Sequence, residues 1–418
     1  MKLGGQTDVV PAVETFEVEG HIVDSLILAK VLDLILDAAA DYRLLEVDIG
    51  KTSTDTSRAV IEITAVDDAT IGRLAEQLQV HGVNPVGAED AELVAADLDG
   101  VLPAGFYSTT NLPAEVRLDG HWVPVEHPEM DCGLVVTVDG PDSSDRTVRT
   151  LPMHRVRVGD RIVVGNQGVR VQAPQPSRGL SAFEFMDSEV SSEKPKGLQV
   201  RQVADKVRAA REAGSSVLAV CGPAVIHTGG GPDVARLVRG GWIQALFAGN
   251  GFATHDMESN VLGTSLGVSV AEGAPTEGGH SNHMRVINEV RRHGSIAASI
   301  EAGFVTGGVM YECVRAGVPF VLGGSIRDDG PLPDTMANVV EAADRMRELV
   351  PGVAVALMLA TTLHAIATGN ILPAGVETFC ADINQAVVTK LADRGSHQAH
   401  GIVTDVGLFV RQLADELG

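Results

Sequence analysis

The sequence predicts a mixed α/β and α+β protein built in three successive parts. The first observation is a change of hydrophobic periodicity: strand-like and helix-like runs alternate up to Leu98, short strands alone follow to about Ala173, and apolar strands separated by helices occupy the rest. The second is size, since 418 residues with 44% hydrophobic content are enough for more than one core. The predicted boundaries are 1–98, 99–178 and 179–418.

In the first part, four runs have strand character and two have the spacing of amphipathic helices. The order is strand ETFEVEG, helix SLILAKVLDLILDAAA, strands RLLEVDIG and AVIEITAV, helix ATIGRLAEQLQVHG and strand ELVAA. This βαββαβ order is the ferredoxin-like pattern. In the second part, turns rich in Gly, Pro and Asp predict a small all-β insert with the strands AEVRL, HWVPV, CGLVVTV and DRIVVG.

The third part contains five apolar strands, each followed by a polar or Gly-rich loop and a helical segment. They are SVLAVCG, WIQALFAG, PFVLGGS, VAVALMLA and VETFCADI. Unbroken apolar runs between helices are typical of a parallel sheet covered on both faces, so a Rossmann-like domain is predicted here. Ligands of such sheets lie at the carboxyl ends of the strands. The five loops after these strands are therefore the expected location of a site.

The charge balance limits the classes of partner. The chain has 32 Lys and Arg against 55 Asp and Glu, a formal charge of −23. So acidic a surface repels phosphate backbones and anionic headgroups, which argues against nucleic acid and membrane as partners. Four widely spaced cysteines without a C-x-x-C pair favour a reducing cytoplasm.

The loops after the first two strands hold the candidate catalytic residues. Gly229 and Gly230 precede a helix and could let a pyrophosphate approach the backbone, although a tight turn explains them equally well. Asn250 and Gly251 take the position at which a nucleotide ribose is usually bound. Three titratable groups follow that suit acid/base work on an amine, with a helix cap as the alternative: His255, Asp256 and Glu258.

The remaining loops complete the cofactor and substrate sets. Polar elbows after the other strands predict further cofactor contacts at Gly324, Asp328, Asp329, Thr361 and Asp382. Candidate substrate ligands are Asn111, Arg117 and His280, and either Arg117 or Arg327 could hold a carboxylate by a bidentate pair. Although His280 and His283 lie three residues apart, no third strong ligand has familiar spacing, so no metal is predicted. His364 has the character of a core histidine.

Six motifs together resemble one known family. They are ETFEVEGHIVDS, GFYSTTNLPAEVRLDGHWVPVE, MDCG, FEFMDSEVSSEKP, GNGFATHDMESN and IRDDGPLPDT. They are similar to archaeal-type NAD-dependent ornithine cyclodeaminases, which carry the LOR/SDH conserved region and also form the C-terminal half of cyanobacterial arginine dihydrolase fusions. The resemblance extends from about Val13 to the C-terminus. It implies a deoxyhypusine-synthase-like NAD-binding domain, which accounts for a nucleotide fold without G-x-G-x-x-G.

The implied cofactor is NAD, and the implied reaction converts L-ornithine to L-proline and ammonia. Hydride leaves the α-carbon for NAD, the δ-amine attacks the resulting imine, ammonia departs and hydride returns, so the cycle is redox-neutral. His255, Asp256 and Glu258 would supply the base for the ammonium and the carboxylate near the distal amine. The resemblance also implies a homo-oligomer. Because the guanidine-hydrolysing domain of the fusions has no counterpart in this sequence, arginine hydrolysis is not implied.

Two other functions fit the same residues. One is a different NAD-dependent amino-acid enzyme, such as an opine- or saccharopine-type dehydrogenase, and net NADH production would distinguish it. The other is a sensor that binds NAD and an amino acid without turning the amino acid over. Substrate chain length is open, because ornithine and lysine differ by one methylene, worth about 1–3 kcal/mol in a pocket.

Overall fold

The computed structural model describes residues 11–23, 26–51, 55–87, 89–138, 146–172, 196–270, 274, 279–328, 330–393 and 399–418. The chain forms two compact units, 1–182 and 183–418. The finer division into three parts stays a prediction. The connector DSEVSSEKPKG lies outside the described residues except for its last two positions.

The first unit begins with a four-stranded antiparallel sheet and two helices. Its elements are β1 Ala12–Gly20, α1 Ile27–Asp37, β2 Asp41–Asp48, β3 Ser57–Ala65, α2 Asp68–Gln79 and β4 Val83–Pro85. The strands lie in the order β2-β3-β1-β4. The predicted helices and first three strands are confirmed. Ile27, Val31 and Ile35 are buried on one face of α1, as expected from residues four apart on a helix.

The predicted last strand of this sheet is wrong. The segment ELVA is β5 Glu92–Ala95, and it pairs with a strand of the second sheet, opposite Arg161–Val164. The fourth strand of the first sheet is instead β4, only three residues long. Such a short strand containing a proline has no readable alternation, which is why ELVA was the stronger candidate.

The second sheet of this unit has seven strands. They are β5, β6 Ala114–Leu118, β7 His121–Glu126, β8 Gly133–Val138, β9 Arg146–Leu151, β10 Arg161–Val164 and β11 Val169–Val171. The order is β11-β6-β7-β9-β8-β10-β5, and the sheet is mixed because β7 and β9 run parallel. All four predicted strands of this region are present. The amide group of Asn84 links the two sheets by bonding both the N–H and the C=O of Val171.

The second unit contains a seven-stranded parallel sheet. Its strands are β12 Ser216–Cys221, β13 Ala245–Gly249, β16 Phe320–Gly323, β17 Thr335–Met336, β18 Val353–Leu359, β19 Glu377–Asp382 and β20 Ala399–Val403. The order is β17-β16-β13-β12-β18-β19-β20 with every pair parallel, which confirms the Rossmann-like prediction. The strand order reverses between β12 and β18, where such sheets bind ligands.

Helices cover both faces of this sheet, and each face has its own apolar core. The helices are α3 Lys196–Glu212, α4 Ala224–His227, α5 Gly231–Arg239, α6 Asn250–Leu262, α7 Asn282–His293, α8 Ile296–Glu301, α9 Val309–Ala316, α10 Val339–Glu348, α11 Thr362–Ile371, α12 Gln385–Asp393 and α13 Val406–Leu417. A small hairpin, β14 Thr264–Ser265 and β15 Val268–Ser269, follows α6. Among the helices of the described residues, none is both long and apolar enough to cross a membrane.

Candidate active site

The helix α6 begins at the carboxyl end of β13 and carries the predicted catalytic residues. The sequence GNGFATHDMESN was expected to be a loop, and this expectation is wrong, because the chain is helical from Asn250 onward. Positions three apart on a helix share a face, whereas positions two apart do not. The helix therefore places His255 beside Glu258 and turns Asp256 to another side.

His255 and Glu258 form a buried hydrogen-bonded pair. The His255 Nδ1 lies 2.7 Å from Glu258 Oε2, and Glu258 is 0% exposed. The other carboxylate oxygen, Oε1, accepts from the Thr264 hydroxyl at 2.8 Å and from the Gly267 N–H at 3.1 Å. The Asn282 side-chain amide in turn donates to the Thr264 hydroxyl at 2.9 Å. The carboxylate is thus fixed by three donors, one of which is itself held in place.

The ionisation of Glu258 determines the role of His255. Burial raises the pKa of Glu258, but hydrogen bonds from His255, Thr264 and Gly267 outweigh it, so the pKa is below its ordinary value. An ionised carboxylate only accepts hydrogen bonds, so Nδ1 of His255 must carry a proton. This leaves Nε2 of His255 free of the Glu258 contact and suited to accept or donate a proton.

Two further histidines lie beside His255. The His227 ring meets the His255 ring edge-on, with 4.9 Å between ring centroids, and His283 lies 6.2 Å away on the same measure. Partial burial of the ring and the nearby His255 lower the pKa of His227 to about 4, although Glu258 opposes them. His227 is therefore neutral at pH 7, and its Nδ1 lies 2.7 Å from the Ser265 hydroxyl. His227 was not singled out from the sequence, although it follows the first strand of the parallel sheet.

Asp256 is buried and bonds to the start of the helix α9. Its Oδ1 accepts from the Val309 N–H at 2.9 Å and its Oδ2 from the Met310 N–H at 2.8 Å. Burial raises the pKa of Asp256 to about 6, and the two amide donors oppose this shift. Both oxygens hold the first turn of α9, where the helix dipole favours a negative charge. These contacts favour an anchor for α9, and the catalytic role of Asp256 stays a prediction.

A row of glycines lies at the carboxyl ends of three adjacent strands, beside the place between β12 and β18 where the strand order reverses. Gly249 of β13 is paired with Gly323 of β16, and Gly222 follows Cys221, whose partner in β13 is Ala248. A Cβ atom at Gly222 would lie 2.0 Å from the Ala360 carbonyl oxygen, so only glycine fits. The backbone therefore carries no side chain at the carboxyl ends of β12, β13 and β16, which are neighbours in the sheet. The signal was readable, because VCG, FAG and VLG all place glycine at the strand end.

His364 lies over this row. A Cβ atom at Gly249 would be 3.0 Å from His364 Cε1, and one at Gly323 would be 3.3 Å from His364 Nε2. Burial lowers the pKa of His364, while Asp328 opposes the shift. The sequence indicated a core histidine here. The structure places its half-buried ring against Gly249 and Gly323, at the ends of two adjacent strands.

Four of the predicted cofactor residues have structural partners. Gly229 has φ +77°, as a tight turn requires, and a Cβ atom at Gly230 would lie 2.8 Å from Val410 of α13. The Asn250 Oδ1 accepts from the Leu332 N–H and the Thr335 hydroxyl. The Gly324 N–H donates to the Met336 carbonyl. The glycine turn and the Asn250 oxygen thus have packing or hydrogen-bond contacts of their own, and the cofactor roles predicted for these residues stay predictions.

Four other predicted cofactor residues, Gly251, Asp328, Thr361 and Asp382, lie at the carboxyl edge of the sheet. Gly251 is in the first turn of α6, and Thr361 directly precedes α11. The carboxylates of Asp328 and Asp382 each accept a nearby backbone N–H, from Ser325 and Asn384 respectively. Asp329 lies outside the described residues.

The predicted substrate ligands are divided between the units. Asn111 is buried in the first unit, as is most of Arg117, whose Nε lies 3.5 Å from Asp90 Oδ1 and whose guanidinium lies 5.9 Å from the Trp122 ring. The side chain of His280 lies outside the described residues. Arg327 is exposed in the loop after β16. Within the part of the chain that the structure describes, no group of three or more His, Cys, Asp and Glu side chains could hold a metal.

The fold and the site define a Rossmann-type α/β protein with a carboxylate-paired histidine at the ligand-binding edge of its sheet. Three family profiles match the chain in succession. The LOR/SDH bifunctional enzyme conserved region matches residues 13–112, the ArgZ-like arginine dihydrolase C-terminal first region matches 113–200, and the ArgZ-like C-terminal Rossmann fold matches 201–413.

Similar proteins agree with these matches. Ornithine cyclodeaminase of Methanocaldococcus jannaschii is 49% identical over 407 residues, covering 96% of this chain and 95% of that protein. The bifunctional arginine dihydrolase/ornithine cyclodeaminase ArgZ of Synechocystis is 42% identical, with 96% and 57% covered. The chain therefore belongs to the ornithine cyclodeaminase family that carries the LOR/SDH region.

Solved structures of the family resemble the fold. The apo crystal structure of cyanobacterial ArgZ has a TM-score of 0.85 and 38% identity, covering 99% of this chain and 60% of that one. A ternary complex of AgrE with ornithine and NAD⁺ has a TM-score of 0.52 and 40% identity, with 98% and 58% covered. This chain thus spans somewhat more than half the length of the two bifunctional proteins.

Proposed function

We propose that the protein is an ornithine cyclodeaminase, which converts L-ornithine to L-proline and ammonia with NAD as its cofactor. The observation that carries the proposal is the buried His255–Glu258 pair on the helix that starts at the glycine-lined sheet edge. Relatives named ornithine cyclodeaminase are similar over the whole chain, and a neighbour was crystallised with ornithine and NAD⁺.

The glycine row fits a dinucleotide. Gly222, Gly249 and Gly323 leave three adjacent strand ends without side chains, and Gly249, the partly exposed one of the three, is where a cofactor can approach the backbone. The first N–H groups of α6 lie at the same edge, where a helix terminus favours a pyrophosphate. When bound there, NAD supplies the chemistry that removes hydride from the α-carbon of ornithine and returns it later.

His255 is the proposed general base. With Nδ1 bound to Glu258, its Nε2 accepts a proton from the α-ammonium of ornithine, which must lose its charge before hydride can leave. Glu258 is a positioning residue that fixes the tautomer and stabilises the protonated imidazole. The buried hydroxyl of Thr254, one turn before Glu258, has no hydrogen-bond partner in the described residues and can bind substrate or cofactor.

Further parts of the proposal concern the substrate carboxylate and the finer fold classes. Arg327 is exposed at the same sheet edge, so it is the proposed cation for the carboxylate in preference to Arg117, which already lies beside Asp90.

The order β2-β3-β1-β4 supports a ferredoxin-like first domain, and a nucleotide edge without G-x-G-x-x-G supports the deoxyhypusine-synthase-like class. Four free, buried cysteines support a cytoplasmic location.

The test is turnover of ¹³C-labelled L-ornithine with NAD, followed by NMR, for the wild type and His255→Asn. We expect proline and ammonia in equal amounts from the wild type, and at least about a hundredfold slower formation from the variant. L-Lysine serves as the comparison substrate for chain length. Absence of proline from wild-type protein that binds NAD would exclude the proposed reaction.

A further inference from the structure

The distal ammonium group of ornithine, on the δ-carbon, needs an acceptor in the site. From the sequence, a carboxylate of α6 is expected near that amine. Glu258 is 0% exposed, however, and its two oxygens already accept from His255 and from the hairpin after α6. The two oxygens of Asp256 accept from the first turn of α9. Both carboxylates are thus committed to protein donors, and the distal amine needs another partner.

Ring closure determines where that partner must lie. In the proposed reaction the δ-nitrogen bonds to the α-carbon, so bound ornithine must be folded with these two atoms about 3–3.5 Å apart. The two nitrogens of the folded molecule are then close neighbours. Since the α-nitrogen is assigned to His255, the acceptor for the δ-nitrogen should lie directly beside His255.

His227 occupies this position. It ends the short helix α4, which follows β12 and packs against α6. Its ring meets the His255 ring edge-on, with 4.9 Å between ring centroids. His255 is only 8% exposed, whereas His227 is exposed and therefore accessible to a ligand. Two imidazole rings side by side match the two neighbouring nitrogens of a folded diamine.

The hairpin after α6 holds both histidines by the same ring nitrogen. The Ser265 hydroxyl lies 2.7 Å from Nδ1 of His227. The adjacent Thr264 hydroxyl donates to Glu258, whose carboxylate bonds Nδ1 of His255. In each ring Nε2 lies on the side away from this contact. When Nδ1 of His227 carries the proton and donates to Ser265, Nε2 is an acceptor. An ammonium group, which has only donors, stabilises that tautomer.

The charge of His227 suits a cationic ligand. Partial burial and the nearby His255 lower the pKa of His227 to about 4, although Glu258 opposes them, so the ring is neutral at pH 7. A neutral ring accepts a hydrogen bond from an ammonium group, whereas a protonated ring would repel it. The ionised Glu258 behind His255 adds negative charge to the same cluster.

We propose that Nε2 of His227 accepts a hydrogen bond from the δ-ammonium of ornithine, so that the site selects diamino acids over their monoamino analogues. This inference rests on the proposed function, because it assumes that ornithine binds with its α-nitrogen at His255. A site built to hydrogen-bond a substrate N–H rejects the analogue that lacks it, since a protein acceptor is then left unpaired. His227 is therefore a specificity-determining residue.

Binding to the protein with NADH tests this role, because NADH cannot accept hydride and turnover is blocked. The two ligands are L-ornithine and L-norvaline, which has the same carbon chain without the δ-amine. By calorimetry we expect the wild type to prefer ornithine about ten- to a hundredfold. His227→Phe keeps a ring but removes the acceptor, so it should lose this preference and bind norvaline within about twofold of the wild type.

The matched control is His283→Phe, the same change at the ring 6.2 Å from His255. This variant should keep the preference for ornithine. A His227→Phe protein that still prefers ornithine, or that loses affinity for both ligands equally, overturns the proposal. A preference lost in His283→Phe and kept in His227→Phe also overturns it.

NMR of the wild type with ¹⁵N-labelled histidine gives an independent readout in the same NADH complex. L-Ornithine should shift the ring nitrogens of both His227 and His255, whereas L-norvaline should shift those of His255 alone. A His227 signal that ignores ornithine, or responds equally to both ligands, overturns the proposal. Since binding is measured apart from turnover, a wild type that forms no proline would contradict the proposed function, whereas these results judge the role of His227.

Discussion

Two carboxylates two residues apart, Asp256 and Glu258, have different environments because α6 turns them to different sides. Glu258 is held by donors that lower its pKa and faces the histidine cluster. Asp256 is buried against the first turn of α9, where its pKa rises to about 6. Two carboxylates within one turn of the helix thus have different partners, and we predict that Glu258 positions His255 while Asp256 anchors α9.

Glu258→Gln should slow turnover while leaving cofactor binding intact. Glutamine cannot stabilise a protonated His255, so kcat should fall by roughly 10²–10⁴-fold, the range for a disabled acid/base group. The Kd for NAD should change less than about twofold, because Glu258 is directed to the histidine and the hairpin after α6. Steady-state kinetics and NAD titration measure both. Glu301→Gln, at an exposed helical position, is the matched control.

Asp256→Asn should preserve turnover but remove a pH dependence of stability. The folded-state pKa of Asp256, about 6, exceeds its ordinary value, so the folded protein retains this proton to higher pH than the unfolded chain. Wild-type stability should therefore fall by about 1 kcal/mol between pH 5 and pH 7 from this group, and the variant should lack that fall. Urea denaturation at both pH values measures the difference.

The control for this comparison is Asp405→Asn. Asp405 caps α13 from an exposed position, where its carboxylate accepts from the Leu408 N–H at 2.8 Å. This variant should keep the wild-type pH response. If Asp256→Asn instead abolished turnover with unchanged stability, Asp256 would be catalytic and the anchoring role would be refuted.

Among the elements of the second unit, the strands β12, β13 and β16 each end at or beside a glycine, and His364 lies against the glycines of β13 and β16. Gly249→Ala adds a Cβ atom 3.0 Å from His364, so the ring must shift over the proposed nucleotide position. NAD affinity should fall at least about tenfold, or about 1.4 kcal/mol, by calorimetry. Gly375→Ala, where nothing lies within 4 Å of the new atom, should bind NAD normally. Equal affinities for the two variants would place the cofactor elsewhere.

The type of an element could be predicted where the hydrophobic periodicity is strong. The prediction failed where polar residues interrupt a helix. The strands Ser216–Cys221 and Val353–Leu359 are continuous apolar runs and were found. The helix α6 is not predicted because His255, Asp256 and Glu258 suggest a loop. In the structure these buried groups have partners: His255 and Glu258 bond each other, Glu258 also accepts from Thr264, and Asp256 accepts from Val309. The strand Thr335–Met336 is too short for any period to appear.

The sequence predicts the region of the site better than it predicts the role of each residue. The rule that ligands bind at carboxyl ends led to His255 and Glu258, which the structure brings together. It could not separate Gly230, which packs on α13, from Gly222, which approaches Ala360, because both contacts are made by segments far along the chain. Contacts between distant segments determine which glycine packs against which element, and these contacts cannot be read from one sequence.

The whole molecule consists of two units with separate cores. Similarity to one family extends over 96% of the chain and so includes both units. The histidine cluster and the glycine row both belong to the second unit. The first unit holds Asn111 and Arg117. The proposed acid/base and cofactor groups therefore all belong to the Rossmann-type unit.

The proposed function requires that this molecule catalyses a redox-neutral cyclisation. The most direct measurement uses L-[2-²H]ornithine with NAD at one-hundredth of the substrate concentration, with proline followed by NMR and NADH by absorbance. We predict that proline exceeds NAD many times over, retains deuterium at C2 and forms without net NADH. Accumulation of NADH equal to the ornithine consumed would indicate a dehydrogenase, and NAD binding without any proline would indicate a sensor; either result would contradict the claim.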